Sequence, residues 1–298
     1  MVAKDARAPQ ALPQRPDFDF IVREISELTG LSEEVVRQRV WDEALCVGSN
    51  VSAAASDFGL VPHVYNERME QFYIRTDAFI FETMVESCRA GKRAILNDIC
   101  DRLRLLSNGA SIPPSVLMLG DGSGGDTLAL CKEFGEVLSV YYFDVPGSRT
   151  YEFALKRFSK YAAPCKILTE YGQIPGAHFD AVISLEVLEH LPNPNAAIRD
   201  MWGFLKSGGV ALVTESFNGV QPRFPTHLYA TQRFAGETAH MFARAGMCRC
   251  WQHGKLMEFR KYEDLISLLP ALWDANWKLA VKNAVPIIAR SRLPHRRQ

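Results

Sequence analysis

The sequence predicts an α/β protein: a doubly wound, Rossmann-like sheet preceded by a helical N-terminal cap. Three observations carry that prediction. From about residue 109 onward, apolar runs of strand length alternate with amphipathic helical stretches. The first of those runs, Val116 to Leu119, breaks at once into Gly120, Gly122, Gly124 and Gly125. Ahead of them, Phe18 to Leu105 has a helical pattern.

Residues 1–16, rich in Ala, Pro, Arg and Gln, lack the apolar block of a secretion signal and read as a disordered lead-in. Residues 17–108 form the cap or lid. The stretch beginning Asp17-Phe-Asp-Phe is amphipathic, and Ser32 followed by Glu33 and Glu34 has the composition of a helix start. Val51 to Leu60 is a connection or a weak helix. Tyr65 to Cys88 is periodic and aromatic, and Gly91 interrupts before Ala94 to Leu105 resumes as a helix. Residues 109–298 form the core. Strands are predicted at Ser115–Leu119, Val137–Phe143, Cys165–Thr169, Asp180–Leu185 and Val210–Thr214. Helices are predicted at Asp126–Phe134, Arg149–Tyr161, Asn195–Leu205 and Gln232–Ala245. Met247–His253 and Val285–Arg290 complete a seven-stranded sheet, with a helical insert at about 255–282 between them. Such alternation implies a parallel sheet covered on both faces, with ligands outside the carboxyl ends of the strands.

Composition narrows the partners. Lys+Arg and Asp+Glu are both 34, a balance that argues against nucleic acid, whose phosphates usually select a basic excess. No apolar run approaches the length of a membrane span, so no membrane insertion is expected. The 7 cysteines show no paired metal spacing and read as reduced thiols of a cytoplasmic protein.

The glycine turn between strand and helix lets backbone approach a ligand with its N–H groups pointing outward. Its spacing satisfies both the dinucleotide fingerprint and the S-adenosylmethionine turn. Asp144, at the end of the second strand, is placed to accept hydrogen bonds from ribose hydroxyls, which both cofactors carry.

Downstream residues separate the two. Phe179-Asp-Ala-Val-Ile-Ser-Leu-Glu-Val-Leu-Glu-His-Leu-Pro-Asn-Pro194 closely resembles the fourth-strand motif of class I S-adenosylmethionine-dependent methyltransferases. Leu205-Lys-Ser-Gly-Gly-Val-Ala-Leu-Val-Thr214 resembles their next helix–turn–strand segment, and Phe224-Pro-Thr-His-Leu-Tyr with Phe242-Ala-Arg-Ala-Gly-Met247 is similar to the loop and helix that follow. The resemblance spans roughly Ile112 to Pro294. It implies an S-adenosylmethionine-dependent transferase acting on a small molecule, similar to the O-methyltransferases of ubiquinone biosynthesis. By position, it implies that Gly120, Gly122 and Gly124 border the cofactor's methionine portion, with Asp121 supplying charge nearby. Asp144 holds the ribose, Val145 packs on the adenine, Glu170 reads the adenine amino group beside Tyr171, and Glu186 borders the sulfonium. Met118 departs from the pattern, because that position is usually acidic in the family.

His190 is the candidate base for a hydroxyl acceptor, with Glu186 and His227 beside it. If the segment turns helical, Glu186, Glu189 and His190 share one face, and with His227 they form a candidate site for Mg, Mn or Zn. A structural role for His190, orienting the loop, stands equally open. Tyr65, Phe72, Tyr73 and Arg75 are candidates for lining the acceptor pocket, although such a stripe also serves plain packing. Trp273 and Trp277 in the insert offer a second wall or a homodimer contact. Two other readings remain at this level: an NAD(P)-dependent oxidoreductase on the same sheet, and a non-catalytic scaffold.

Overall fold

The computed structural model describes residues 16–262. The lead-in, the strand expected at Val285–Arg290, Trp273, Trp277 and most of the expected insert lie outside the described residues. Six helices come first: α1 (Pro16–Thr29), α2 (Glu33–Leu45), α3 (Ser49–Asp57), α4 (Glu67–Arg75), α5 (Ala78–Glu86) and α6 (Ala90–Ser107). The core follows as β1 (Ser115–Leu119), α7 (Gly125–Phe134), β2 (Ser139–Phe143), α8 (Arg149–Lys160), β3 (Cys165–Ile167), β4 (Phe179–Leu185), α9 (Pro194–Phe204), β5 (Leu205–Thr214), α10 (Tyr229–Gln232), α11 (Thr238–Ala245), β6 (Met247–His253) and β7 (Leu256–Lys261). The sheet has seven strands in the order β3-β2-β1-β4-β5-β7-β6. The first five are parallel to their neighbours, whereas β7 runs antiparallel to both β5 and β6. Among the described residues, no helix is long and apolar enough to cross a membrane.

Strand alternation divides the core into two layers. Leu117, Leu119, Val182, Ala211 and Val213 pack with residues of α9 and α11, including Ile198, Met201 and Phe242. Val116, Met118, Val140, Ala181, Ile183 and Leu212 pack on the other face, with Ile99 and Leu103 of α6 and Leu130 of α7. The cap has its own apolar centres. Ile21, Ile25, Val36 and Val40 of α1 and α2 meet Ile80, Phe81 and Met84 of α5, while Val51, Met69 and Phe72 form a second cluster.

The aromatic stretch from Tyr65 is two helices rather than one. It breaks at Thr76, whose backbone is extended and whose hydroxyl accepts from Ala78 N–H at 3.1 Å. The next residue, Asp77, is held by both guanidinium nitrogens of Arg39 at 2.8 Å. Gly91 does not interrupt a helix. It sits in the first turn of α6, and the chain breaks at Arg89 instead. Val51 to Leu60 is helical over most of its length, capped at its start by the buried Glu43 carboxylate, which accepts from Asn50 N–H at 3.2 Å. The expected insert from 255 is also corrected, because Leu256–Lys261 is a strand. Buried Glu258 and Lys261 hide its apolar pattern, the first paired with Arg102 and the second donating to the Leu205 carbonyl at 2.6 Å.

Glu82 of α5 gives the cap a pH dependence. Burial, then the nearby Glu43 and Glu86 carboxylates, push its carboxyl up to about 8. Because the folded-state value lies above the unfolded one, the folded form binds more protons. Its contribution is fully present below about pH 4.5 and is lost as pH rises through about 8. Glu82→Gln removes this penalty. Unfolding free energies from urea titration are expected to coincide near pH 4 and to favour the variant by roughly 1–2 kcal/mol at pH 8.5, a figure discounted for the side chain's residual exposure.

Candidate functional site

The parallel strands end together where β1 and β4 turn out of the sheet, and the predicted residues collect there. β1 runs into a turn with Gly120, Gly122 and Gly124 at φ of 81°, 51° and 72°, a region that side chains rarely enter. The turn is tied down on every side. Gly120 N–H donates to Phe143 O at 2.8 Å, and Tyr142 Oη donates to Gly122 O at 2.7 Å. Asp144 accepts from Gly122 N–H at 2.6 Å through one carboxylate oxygen and from Val145 N–H at 2.7 Å through the other. Burial raises its pKa, and these two bonds oppose the rise.

The walls around the turn leave no room for side chains. A Cβ at Gly120 would lie 2.6 Å from Val187 Cγ2, and one at Gly124 would lie 2.5 Å from Phe158 Cζ on α8. Asp121 serves the turn itself. Its carboxylate accepts from Thr127 N–H at 2.7 Å, Thr127 Oγ1 at 2.6 Å and Asp126 N–H at 3.2 Å, capping α7. Burial, then the charge of Asp126, raises its carboxyl to about 7.

Val145 is 43% exposed at the mouth of the turn, Glu170 is exposed, and Tyr171 packs against Phe143 and Phe204 while donating to Asp200 at 2.7 Å. Glu186, directly after β4, has a φ of 55°, uncommon for a residue with a side chain. Its N–H donates to the carbonyl and hydroxyl of Thr214, both at 3.1 Å, and Ser216 Oγ donates to its carboxylate. Burial acts to raise this carboxyl, but the Ser216 bond and the Lys255 ammonium outweigh it and leave the pKa below its usual value.

The chain then makes one 3-10 turn, Leu188–His190, instead of an α-helix. The expectation that Glu186, Glu189 and His190 share a helical face is therefore corrected, since the left-handed backbone at Glu186 sends its carboxylate to Ser216. What comes together is Glu189, His190 and His227, each with a ligating atom within 4.8 Å of the others. Glu189 is wholly buried and no donor reaches either of its oxygens; its protonated form has the Glu186 carboxylate as its acceptor, and Nδ1 of the buried His227 has no partner within hydrogen-bond geometry. Burial, then the charge of Glu186, drives the Glu189 pKa well above the usual range. Burial lowers His190 to about 4, while burial and the neighbouring His190 lower His227 to about 3. Both imidazoles are neutral at pH 7.

The cap enters this site through Tyr73, whose hydroxyl lies 3.0 Å from His190 Nδ1 and whose ring stacks on Phe79. Nδ1 is also 3.2 Å from the Thr226 carbonyl. That oxygen only accepts, so a hydrogen on Nδ1 would satisfy it and leave the lone pair on Nε2, whereas the Tyr73 hydroxyl fits either tautomer. Phe72 is corrected as a lining residue: it is fully buried among Phe58, Phe79 and the second cap cluster. Arg75 is exposed at the end of α4, where its carbonyl accepts from Arg149 Nε at 3.0 Å, and it does not reach the histidines. Tyr65 is 37% exposed near Glu70. Several participants had no sequence signal. His63, at φ 65°, holds the His227 carbonyl at 2.8 Å through Nδ1, and Thr83 of α5 and Arg157 of α8 both grip Ser123.

Gly124→Ala is expected to destabilise the fold by about 2–4 kcal/mol, combining a left-handed alanine with overpacking against Phe158. Chemical denaturation measures it, and a loss below 0.5 kcal/mol, roughly what a surface change gives, would show that Phe158 yields freely.

Comparison with known proteins agrees with this geometry. The family model described as "Methyltransferase domain" matches residues 91–279, more than half of the chain. A polyketide synthase-nonribosomal peptide synthetase of Aspergillus clavatus is 32% identical over 118 residues, which cover 37% of this chain and 3% of that protein. The chain thus matches only a small part of that curated relative. Among solved structures it is similar to the CurJ carbon methyltransferase, at 11% identity and a TM-score of 0.47 over 62% of this chain and 58% of that one. It is likewise similar to an S-adenosylmethionine-dependent methyltransferase from Aquifex aeolicus, at 17% identity and a TM-score of 0.43 over 55% and 87%. A glycine turn at the end of β1, a carboxylate at the end of β2 and a seven-stranded sheet with a reversed β7 accompany the family match, and the chain belongs to the class I S-adenosylmethionine-dependent methyltransferases.

Proposed function

We propose that the protein transfers the methyl group of S-adenosylmethionine to a hydroxyl oxygen of a small molecule, and that the hydroxyl loses its proton at the Glu189–His190–His227 cluster. The observation that carries this reading is the cluster itself: a buried carboxyl that no donor reaches beside two neutral imidazoles, following Glu186 at the carboxyl end of β4. An unsatisfied buried carboxyl is costly and is retained where chemistry uses it.

In this reading Asp144 holds the ribose hydroxyls with lone pairs not used by Gly122 and Val145, Val145 covers the adenine, and Glu170 and Tyr171 border it. Glu186 faces the sulfonium. Displacement breaks the methyl–sulfur bond with its electrons passing to sulfur, forms the carbon–oxygen bond, and releases the hydroxyl proton. In the tautomer that donates from Nδ1 to Thr226, Nε2 of His190 is the lone pair on offer, either to that proton or to a divalent cation. One carboxylate and two imidazoles suit Mg, Mn or Zn, and the unpaired atoms of Glu189 and His227 are those a cation would satisfy. Such an ion, when bound, lowers the pKa of a coordinated hydroxyl.

The test is transfer of labelled methyl into a metabolite extract, with the product identified by mass spectrometry. An O-methyl product is expected, and a methyl found on nitrogen or carbon overturns the oxygen assignment. His190→Ala is expected to lower kcat by about 100-fold or more. Loss of activity on chelation, restored by added Mn, together with loss of bound metal in Glu189→Ala and His227→Ala, assigns the cluster to an ion. Activity that survives chelation but not His190→Ala assigns it to a base. Full activity in every case removes the cluster from the chemistry.

A further inference from the structure

Side chains of the cap and of α8 reach the glycine turn by hydrogen bonds at Ser123, which is buried. Its side-chain hydroxyl hydrogen-bonds at 2.9 Å to that of Thr83 on α5. Its carbonyl accepts from a terminal guanidinium nitrogen of Arg157 on α8 at 2.8 Å. Arg157 is itself held by Glu24 of α1, with 3.3 Å between Nε and Oε1, and only 8% of Arg157 and 1% of Glu24 remain exposed. A run of contacts therefore passes from the first helix of the cap, through a buried ion pair, to the backbone of the turn. Glycines at 122 and 124 make that backbone soft, because they let the peptides on either side of Ser123 rotate at little steric cost.

We infer that Arg157 and Glu24 are positioning residues for the methyl donor: they hold the Ser123 peptide so that the turn keeps the shape that receives S-adenosylmethionine. Neither side chain touches the donor in this account. Both act through the Ser123 carbonyl, and α1 contributes to donor affinity without lining the site. A preorganised turn binds with less ordering cost, so releasing the carbonyl weakens binding while the reacting groups at Glu186 and His190 stay in place. The inference rests on the donor occupying the glycine turn.

Calorimetric titration with S-adenosylhomocysteine separates positioning from mere destabilisation. Loss of folded protein lowers the number of binding sites and leaves the Kd of the folded fraction unchanged, whereas a misplaced turn raises Kd at full stoichiometry. Glu24→Gln and Arg157→Met are expected to raise Kd by about tenfold or more, with stoichiometry near one and kcat at saturating donor within about twofold of wild type. Glu258→Gln is the control. It opens the Arg102–Glu258 pair on β7, whose carboxylate is as buried as that of Glu24, and is expected to leave Kd unchanged. Unchanged Kd in both Glu24→Gln and Arg157→Met overturns the inference, as does an equal rise in the control. A wild-type chain that does not bind S-adenosylhomocysteine overturns the donor site and this inference together.

Discussion

A short loop must hold three glycines in left-handed backbone between walls already in contact with them, and most of the molecule is arranged around that constraint. Val187 faces Gly120, Thr83 faces Gly122 and Phe158 faces Gly124, so the β4 loop, the cap and α8 each touch a different residue of the same turn. Val187 and Phe158 can approach this closely only because the residue opposite has no side chain, and Thr83 would have to give way to one. The glycines thus serve packing between protein elements as well as ligand access. The turn also binds the cap to the core, because Thr83 enters it from α5 and Arg157 joins it to α1.

The second organising feature is where buried polar groups stay unpaired. Several buried charges are met by direct partners: Lys92 with Asp126, Arg102 with Glu258, and Glu43 with backbone N–H groups at the start of α3. These pairs offset desolvation by direct bonds. At the carboxyl end of β4 the pattern reverses. Glu186 has strained backbone, Glu189 has two oxygens that no donor reaches, and His227 leaves a nitrogen without a partner. A left-handed glutamate, a buried carboxyl and a buried imidazole thus meet at one strand end, where a ligand could offset their cost.

Features set by short-range pattern were legible in the sequence. β1 and β6 have the bounds their apolar runs imply, and α7, α8 and α9 lie within a residue of theirs. Asp144 lies where the end of an apolar run places it, and it does touch the glycine turn. Long-range compensation was not legible. β7 contains Glu258 and Lys261 at buried positions, and partners distant in sequence, among them Arg102 and the Leu205 carbonyl, help make those charges tolerable there. Phe72 and Tyr73 are adjacent in sequence, yet one closes the cap's core and the other reaches His190, a division set by which face of α4 meets the turn after β4. Glu186 shows the same limit: nothing local announces a left-handed glutamate, and its geometry depends on Thr214 and Ser216 of the neighbouring segment.

Met118 links the cap to the chemistry in a way the departure from family pattern alone did not suggest. Alternation along β1 turns Met118 away from the Leu117–Leu119 face and under α6, among Ile99, Leu103 and Leu130. An ionised carboxylate there would lie beneath apolar side chains with its charge unmet, at a cost of several kcal/mol. Methionine, unbranched and soft, fills the same space without a charge. The cap helix and the apolar residue are therefore compatible with each other in a way that the cap helix and an acid are not. The acid that the turn still needs is Asp121, which lies within the loop and folds it onto the start of α7. The turn is thus built from inside by Asp121 and from outside by Thr83 and Arg157, and the strand beneath it is left free to be purely apolar.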